Sequence, residues 1–238
     1  MIPAMFDYHA PADVGQAAAL LRQYDGEAKL LAGGQSLIPM MRFRLAQPEH
    51  LIDISKLPGL AYIEERDGHL AIGAMTTETA LEHRAVVRRK YEALADATAV
   101  IADPLVRNLA TVGGNIAHAD PANDHPAVML ALRAEVVATG PDGHRVIPVD
   151  DFFLDTFVTA LEPDEILTEI RIPAAKRGSG SAYMKLERKV GDYAIGAVAA
   201  NLLIKDGTIT EAGVAMTNVA PYPVRARETE AALAGQGD

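Results

Sequence analysis

The chain breaks into short apolar runs separated by polar or glycine-bearing joints, and the spacing within each run predicts the elements. Asp13, with Gln16 three residues on, has the form of a capping box, and the Ala- and Leu-rich stretch behind it predicts a helix to Tyr24. Lys29 to Ala32 predicts a strand that ends on Gly33-Gly34, and Leu37 to Phe43 predicts a helical turn directly behind it. Pro48 interrupts the chain, and LeuIleAspIle from Leu51 predicts a second short strand. Residues 1–57 thus form a small α/β unit.

From Leu60 the pattern changes. Leu60 to Arg66 and His69 to Ala74 flank Asp67-Gly68, a strong hairpin signal, and Thr76 or Thr77 is placed to cap a helix. A longer helical pattern covers Val86 to about Ile101, and Pro126 stands near the start of an apolar helix through Leu132. AlaGluValValAla and HisArgValIlePro flank the turn Pro141-Asp142-Gly143, and GluIleLeuThrGluIleArgIlePro predicts an alternating strand. These segments predict a mixed sheet, so that residues 58–175 make a second subdomain of an α+β fold. Lys176 to Ser181, small and polar, is the linker into residues 176–238, where three strand-like stretches, with Asp206-Gly207 turning the last two, precede a short helix. So thin a sheet needs covering helices from elsewhere.

Two glycine pairs carry the candidate chemistry: Gly33-Gly34 in LeuLeuAlaGlyGlyGlnSerLeu and Gly113-Gly114 in ThrValGlyGlyAsn. A glycine pair lets successive N–H groups turn toward an anion without a side chain intervening. Each pair has a hydroxyl beside it, Ser36 after the first and Thr111 before the second, so the two together can grip a pyrophosphate from both sides. The first also precedes a helix start, whose dipole would add to the site. Neither matches the G-x-x-x-x-G-K-[ST] loop of an NTPase or the G-x-G-x-x-G dinucleotide fingerprint.

Composition narrows the function classes. A formal net charge of -10 argues against nucleic acid and against anionic lipid as partners. No apolar stretch is long enough to cross a bilayer, and MetIleProAlaMetPheAspTyrHis is no signal peptide, which places the chain in the cytoplasm. With no cysteine, the chain supplies neither a thiolate nucleophile nor iron–sulfur ligands. Redox chemistry here would need an organic cofactor.

The two glycine loops, with ProGluHisLeuIleAspIle, ArgAsnLeuAlaThrValGlyGlyAsn, AlaHisAlaAspProAlaAsnAsp and the C-terminal ProValArgAla, resemble the FAD-binding medium subunit of the molybdenum hydroxylases. That family includes carbon monoxide dehydrogenase and xanthine dehydrogenase. The resemblance implies an FAD domain of two subdomains with the flavin stretched between them, followed by an antiparallel sheet with helices. Leu31, Ala32, Gly33, Gly34, Gln35, Ser36 and Leu37 would form the first pyrophosphate loop, and Thr111, Gly113, Gly114 and Asn115 the second. Asp124 would accept from a cofactor hydroxyl, and Leu167, Lys185 and Tyr193 fall where the family makes later flavin contacts, Tyr193 against the isoalloxazine. Gln35 departs from the family's usual His, and the chain stops before the family's C-terminal helices, which implies a truncated subunit. The implied partners are a large molybdenum-cofactor subunit and a small subunit with [2Fe-2S] clusters, in a dimer of heterotrimers. Electrons would pass through FAD to an external acceptor, and no side chain of this chain needs to be catalytic.

Plainer readings stand beside these. The glycines can be turns only, Ser36 and Thr111 helix caps, Asp124 an N-cap before Pro126, Lys185 a solvated lysine on a partly exposed strand, and Tyr193 a strand aromatic. His118, Asp120, Asp124 and His125 have metal-ligand spacing, but Pro121 and Pro126 stiffen the loop and the side chains need not converge, so no metal site is assigned. The alternatives are a self-sufficient flavin oxidase or reductase and a metal-dependent hydrolase.

Overall fold

The computed structural model describes residues 2–237. Its first unit is β1 (Asp7–His9), α1 (Val14–Gln23), β2 (Ala28–Leu31), α2 (Leu37–Arg42) and β3 (His50–Asp53). The three strands pair in parallel with β3 in the middle. Asp13 caps α1 by accepting from the Gln16 amide at 2.8 Å, and the Gln16 side chain accepts from the Ala12 amide at 3.1 Å. Ala17, Ala18 and Leu21 of α1 bury with Ile52, Ile54, Leu57 and Leu60 in a core of their own.

The second unit adds β4 (Ile63–Arg66), β5 (His69–Gly73), α3 (Glu78–Glu82), α4 (Ala85–Lys90), α5 (Glu92–Val100), α6 (Pro104–Arg107), α7 (Val112–His118), α8 (His125–Ala131), β6 (Glu135–Gly140) and β7 (Gly143–Pro148). A 3-10 turn, the short pair β8 (Phe153–Asp155) and β9 (Val158–Thr159), and β10 (Ile166–Pro173) complete it. The sheet runs β4-β5-β10-β6-β7 and every pairing is antiparallel, not mixed as the segments predict. The long helical excursion does return β6 parallel to β5, but β10 inserts between them and pairs antiparallel with both. As the central strand, β10 is buried continuously from Ile166 to Ile170 instead of alternating.

The helix predicted from Val86 to Ile101 is broken in two at Tyr91, whose φ of -137° and ψ of 62° leave the helical region. The break turns the Tyr91 ring inward, where it is 1% exposed in the main core. The helical bonds lost at the break are offset by burial of a large aromatic side chain.

The last unit is an antiparallel sheet of β11 (Ser179–Leu186), β12 (Gly196–Lys205), β13 (Thr208–Thr217) and the short β14 (Val224–Arg225), followed by α9 (Arg227–Leu233). Asp206 and Gly207 both take positive φ, 51° and 72°, as a type I′ hairpin needs. The covering helices that this thin sheet needs come from the preceding unit. Leu94 and Ala97 of α5 and Val128 and Ala131 of α8 bury with Tyr183, Ala197, Ala199 and Ala215 of the sheet in one core. At Gly213 the sheet meets α8 so closely that a Cβ would strike the Ala131 carbonyl. Ser179, predicted as linker, already belongs to β11, so only a tight turn at Lys176–Gly178 joins the two units. Among the described residues, no helix is long and apolar enough to cross a membrane.

Candidate functional site

The first glycine pair forms a true loop between β2 and α2. Gly34 has a φ of 74°, and a Cβ there would lie 2.6 Å from Ile38 Cδ1, so the position requires glycine. Among the described residues, no protein acceptor meets the amides of Gly33, Gly34, Gln35 or Ser36. Ser36 stands at the N-cap of α2 without making a side-chain cap bond, and the Gln35 side chain folds back to donate to the Gly33 carbonyl at 3.2 Å. The free groups are therefore four successive amides and one hydroxyl, the donor set an anion needs. Because α2 is six residues long, local amides contribute more than a helix dipole would. A cleft of about 330 Å³ runs along this loop, lined by Gly34, Gln35, Ile38, Pro39, Arg42 and Phe43. A second cavity of about 250 Å³, lined by Leu130, Phe153, Tyr222 and Arg225 among others, shares no residue with either loop.

The second glycine pair is not an open amide nest. Gly113 and Gly114 lie in the first turn of α7, with Thr111 as its N-cap accepting from the Gly114 amide at 3.2 Å. The Val112 amide donates to the Thr76 carbonyl at 2.9 Å and the Gly113 amide to the Ala74 carbonyl at 3.0 Å, so the amides that the sequence suggested for phosphate are already engaged. Gly113 is glycine because a Cβ there would sit 2.7 Å from Ala74 Cα and from its carbonyl oxygen. This wall instead offers the Thr111 hydroxyl, the bare edge of Gly114, and Asn115 Oδ1, which is buried without a partner.

The two pairs lie side by side. A Cβ on Gly33 would collide with the Leu109 carbonyl, and one on Gly114 would lie 3.8 Å from Ala32 Cβ. Leu31 and Leu37 flank the first loop, half-buried. Leu167 is buried on β10, and the carbonyl of its neighbour Thr168 accepts from the Ala74 amide at 3.0 Å, which backs the strut under Gly113.

Asp124 and Lys185 come together across the junction of α8 and β11. Lys185 Nζ donates to Asp124 Oδ2 at 3.1 Å and to the Val100 carbonyl at 3.1 Å, and Tyr183 donates its hydroxyl to Asp124 Oδ1 at 2.6 Å. The side chains of Lys185 and Asp124 are 3% and 7% exposed, which corrects the expectation of a solvated lysine; Asp124 makes no cap bond either. Burial pushes the Asp124 carboxyl up from its ordinary value, against the hydroxyl of Tyr183 and the charge of Lys185. Burial and then Asp124 push the Tyr183 phenol up. Asn123 joins this group to the second loop, donating from its side chain to the Asn115 carbonyl at 3.0 Å.

Tyr193 lies in the segment between β11 and β12, not in a strand, and is 60% exposed. Desolvation and the negative charges of Asp120 and Asp124 raise its phenol above the ordinary value. His118, Asp120, Asp124 and His125 do not converge: His118 packs against Phe157 with the two rings tilted at 44°, Asp120 caps its own turn at the Ala122 amide, and His125 faces Glu78. The motif reading assigns Tyr183 and Asn123 no role of their own, although Asn123 stands in the AlaHisAlaAspProAlaAsnAsp motif. The two-residue spacing of Tyr183 and Lys185, which puts both on the inner face of β11, was the available signal for the first.

A family profile described as the FAD binding domain in molybdopterin dehydrogenase matches residues 4–175, and one described as the CO dehydrogenase flavoprotein C-terminal domain matches residues 181–237. The chain belongs to the FAD-binding medium subunits of the molybdenum hydroxylases. The carbon monoxide dehydrogenase medium chain of Hydrogenophaga pseudoflava is 49% identical over 236 residues, covering 99% of this chain and 82% of that one. The 6-hydroxypseudooxynicotine dehydrogenase complex subunit alpha of Paenarthrobacter nicotinovorans is 38% identical, covering 97% of this chain and 78% of that one. A solved carbon monoxide dehydrogenase from Hydrogenophaga pseudoflava, lacking the Mo-pyranopterin moiety of its molybdenum cofactor, superposes with a TM-score of 0.97 at 51% identity. It covers 100% of this chain and 83% of that one. This medium subunit is thus an FAD-binding oxidoreductase component, and the α+β architecture is that of its relatives.

Proposed function

We propose that this medium subunit holds FAD across the two glycine pairs and acts as the electron-transfer component of a molybdenum hydroxylase. The observation that carries the reading is the direct abutment of the two loops, with uncommitted amides on one side and the Thr111 hydroxyl, free to donate, on the other. Ala32, Gly33, Gly34, Gln35 and Ser36 would bind the pyrophosphate through main-chain amides and the Ser36 hydroxyl. Thr111, Gly114 and Asn115 would close over it from the facing wall, with Gly113 holding that wall against Ala74. Asp124, fixed by Tyr183 and Lys185, would accept from a cofactor hydroxyl. Leu31, Leu37 and Leu167 supply apolar walls, and Tyr193 lies on the exposed side where a flavin ring can be covered.

Bound FAD would supply the electron transfer that the side chains of this chain cannot. With no cysteine, the chain depends on other polypeptides for iron–sulfur clusters, and the large subunit would carry the molybdenum cofactor and the substrate pocket. Electrons would then run from a small [2Fe-2S] subunit through this chain to an external acceptor. The assembly would be a dimer of heterotrimers in the cytoplasm, with this chain divided into an FAD-binding domain over residues 1–175 and a C-terminal domain over residues 176–238.

The purified chain is expected to take up FAD with a flavin spectrum, and to be reduced by the small organic substrate only when the large and small subunits are added. Direct anaerobic reduction of the isolated chain by that substrate would favour a self-sufficient flavin enzyme instead. Absence of flavin uptake would reject both.

A further inference from the structure

The motif ArgAsnLeuAlaThrValGlyGlyAsn begins with an arginine to which the proposed function gives no part. Arg107 closes α6 and is buried, 9% exposed. Its Nε donates to Glu82 Oε2 at 3.0 Å, and its Nη1 donates to the carbonyls of Ile101 at 2.9 Å and Ala102 at 3.3 Å. One nitrogen thus serves a carboxylate on α3 while another serves the turn that leads into its own helix. Beyond Arg107 the chain runs to Leu109, whose carbonyl meets Gly33. A single short helix therefore stands between the gap of the glycine pairs and the 101–102 turn.

That turn is strained. Ala102 takes a φ of 46°, in the left-handed region, and alanine has no polar side chain to offset the cost. Such a conformation persists only where its surroundings hold it. The Arg107 guanidinium holds this one, and Gly191 rests on it. A Cβ on Gly191 would fall 2.7 Å from the Ala102 carbonyl oxygen and 3.1 Å from its carbon, so the two main chains lie in contact. On the other side of Tyr193, Ala194 is 2% exposed in the main core, and its carbonyl accepts from the Asn218 side chain at 2.7 Å. Tyr193 is itself exposed but slung between two seats, of which the Gly191 seat is a turn clamped by Arg107.

We propose that Arg107 is a positioning residue that sets where Tyr193 stands over the cofactor, by holding the Ile101–Ala102 turn on which Gly191 rests. The inference rests on the reading of Tyr193 as a cover for the flavin ring. The plainer role for Arg107 is the tie between α3 and α6 through Glu82. The two roles use different nitrogens, so substitution separates them. Lysine at position 107 keeps a charge for Glu82 but lacks the planar fork that reaches the carboxylate and the turn at once. Glutamine at position 82 keeps the fork on the turn and removes the ion pair.

The chain has no tryptophan, so Tyr193→Trp places a single indole at the position in question. In this parent without flavin, time-resolved fluorescence anisotropy of the indole reads how firmly the segment is seated. Adding Arg107→Lys is expected to raise the amplitude of the fast decay about twofold as the segment loosens. Adding Glu82→Gln should lower the urea midpoint and leave the decay unchanged. Ala102→Gly, which takes a positive φ without strain, should bring the Arg107→Lys decay back to that of the parent. With FAD added, flavin should quench the indole in the parent and in Glu82→Gln, and quench it less in Arg107→Lys. An unchanged decay in Arg107→Lys would overturn the proposal, and so would equal rises in Arg107→Lys and Glu82→Gln, which would leave Arg107 a structural tie. If FAD does not quench the indole of the parent, the reading of Tyr193 fails and the proposal with it, whatever the flavin-free decays show. Should Arg107→Lys not fold, Gly191→Ala tests the seat from the other side. Its methyl group must displace the Ala102 carbonyl, so the indole should loosen, and a decay equal to the parent's would overturn the proposal.

Discussion

The two Gly-Gly dipeptides of this chain have one composition and two structural roles. Gly33-Gly34 makes a loop with a positive φ at Gly34 and amides that meet no protein acceptor. Gly113-Gly114 begins a helix, its amides bonded to Ala74 and Thr111, and its missing side chains let the helix press against a strand end. One pair provides donors and the other provides closeness. The difference teaches that glycine beside a ligand is required either for what its backbone can offer or for what its absent side chain lets approach, and only a count of hydrogen bonds tells which.

The contrast can be broken in order of expected effect. Gly114→Asp should abolish FAD retention in a chain that still folds, because the new Cβ falls 2.7 Å from Thr111 Oγ1 and places a carboxylate where the pyrophosphate would lie. Flavin absorbance after gel filtration checks it, and full occupancy would contradict the assignment. Gly33→Ala should lower stability by about 1–3 kcal/mol, since the methyl group must push the Leu109 carbonyl aside. Urea unfolding of the flavin-free chain measures that cost apart from any loss of cofactor.

Thr111→Ala should cost about 1 kcal/mol of stability through the lost cap on α7, together with weaker flavin binding. Ser36→Ala sharpens the comparison most. That hydroxyl makes no cap bond, so the variant should unfold at the wild-type denaturant midpoint while its FAD affinity drops by about 1 kcal/mol. A shifted midpoint with unchanged affinity would assign Ser36 to the fold instead.

Local signals carried much of the fold. The Asp13 capping box, the Asp67-Gly68 and Asp206-Gly207 turns and the strand into the first glycine pair depend on residues within a few positions of one another, and all appear as predicted. The second glycine pair misleads because two glycines at the start of a helix each cost about 1 kcal/mol of propensity. Tertiary bonds to Thr76 and Ala74 override that cost, and neither bond is visible from ThrValGlyGlyAsn alone. Tyr91 gives no sign of ending a helix, since its aromatic ring suits both a helix face and a core.

The candidate site divides in the same way. The glycines and hydroxyls stand in compact motifs, whereas the burial of Lys185 depends on Asp124 and Tyr183 meeting across two elements far apart in sequence. Nothing near Glu78 announces a histidine 47 positions later.

Where Gly33 meets Leu109, main chain lies directly on main chain. A gap set that way has no rotamer to turn and no side chain to trim, so its width is a constant of the architecture. Substitution can alter only the rim, at Gln35, Ser36 and Asn115, while the jaws themselves stay fixed. Lengthening either loop by one residue would have to be matched in the other, so divergence between relatives should appear as exchanged rim residues at conserved loop lengths.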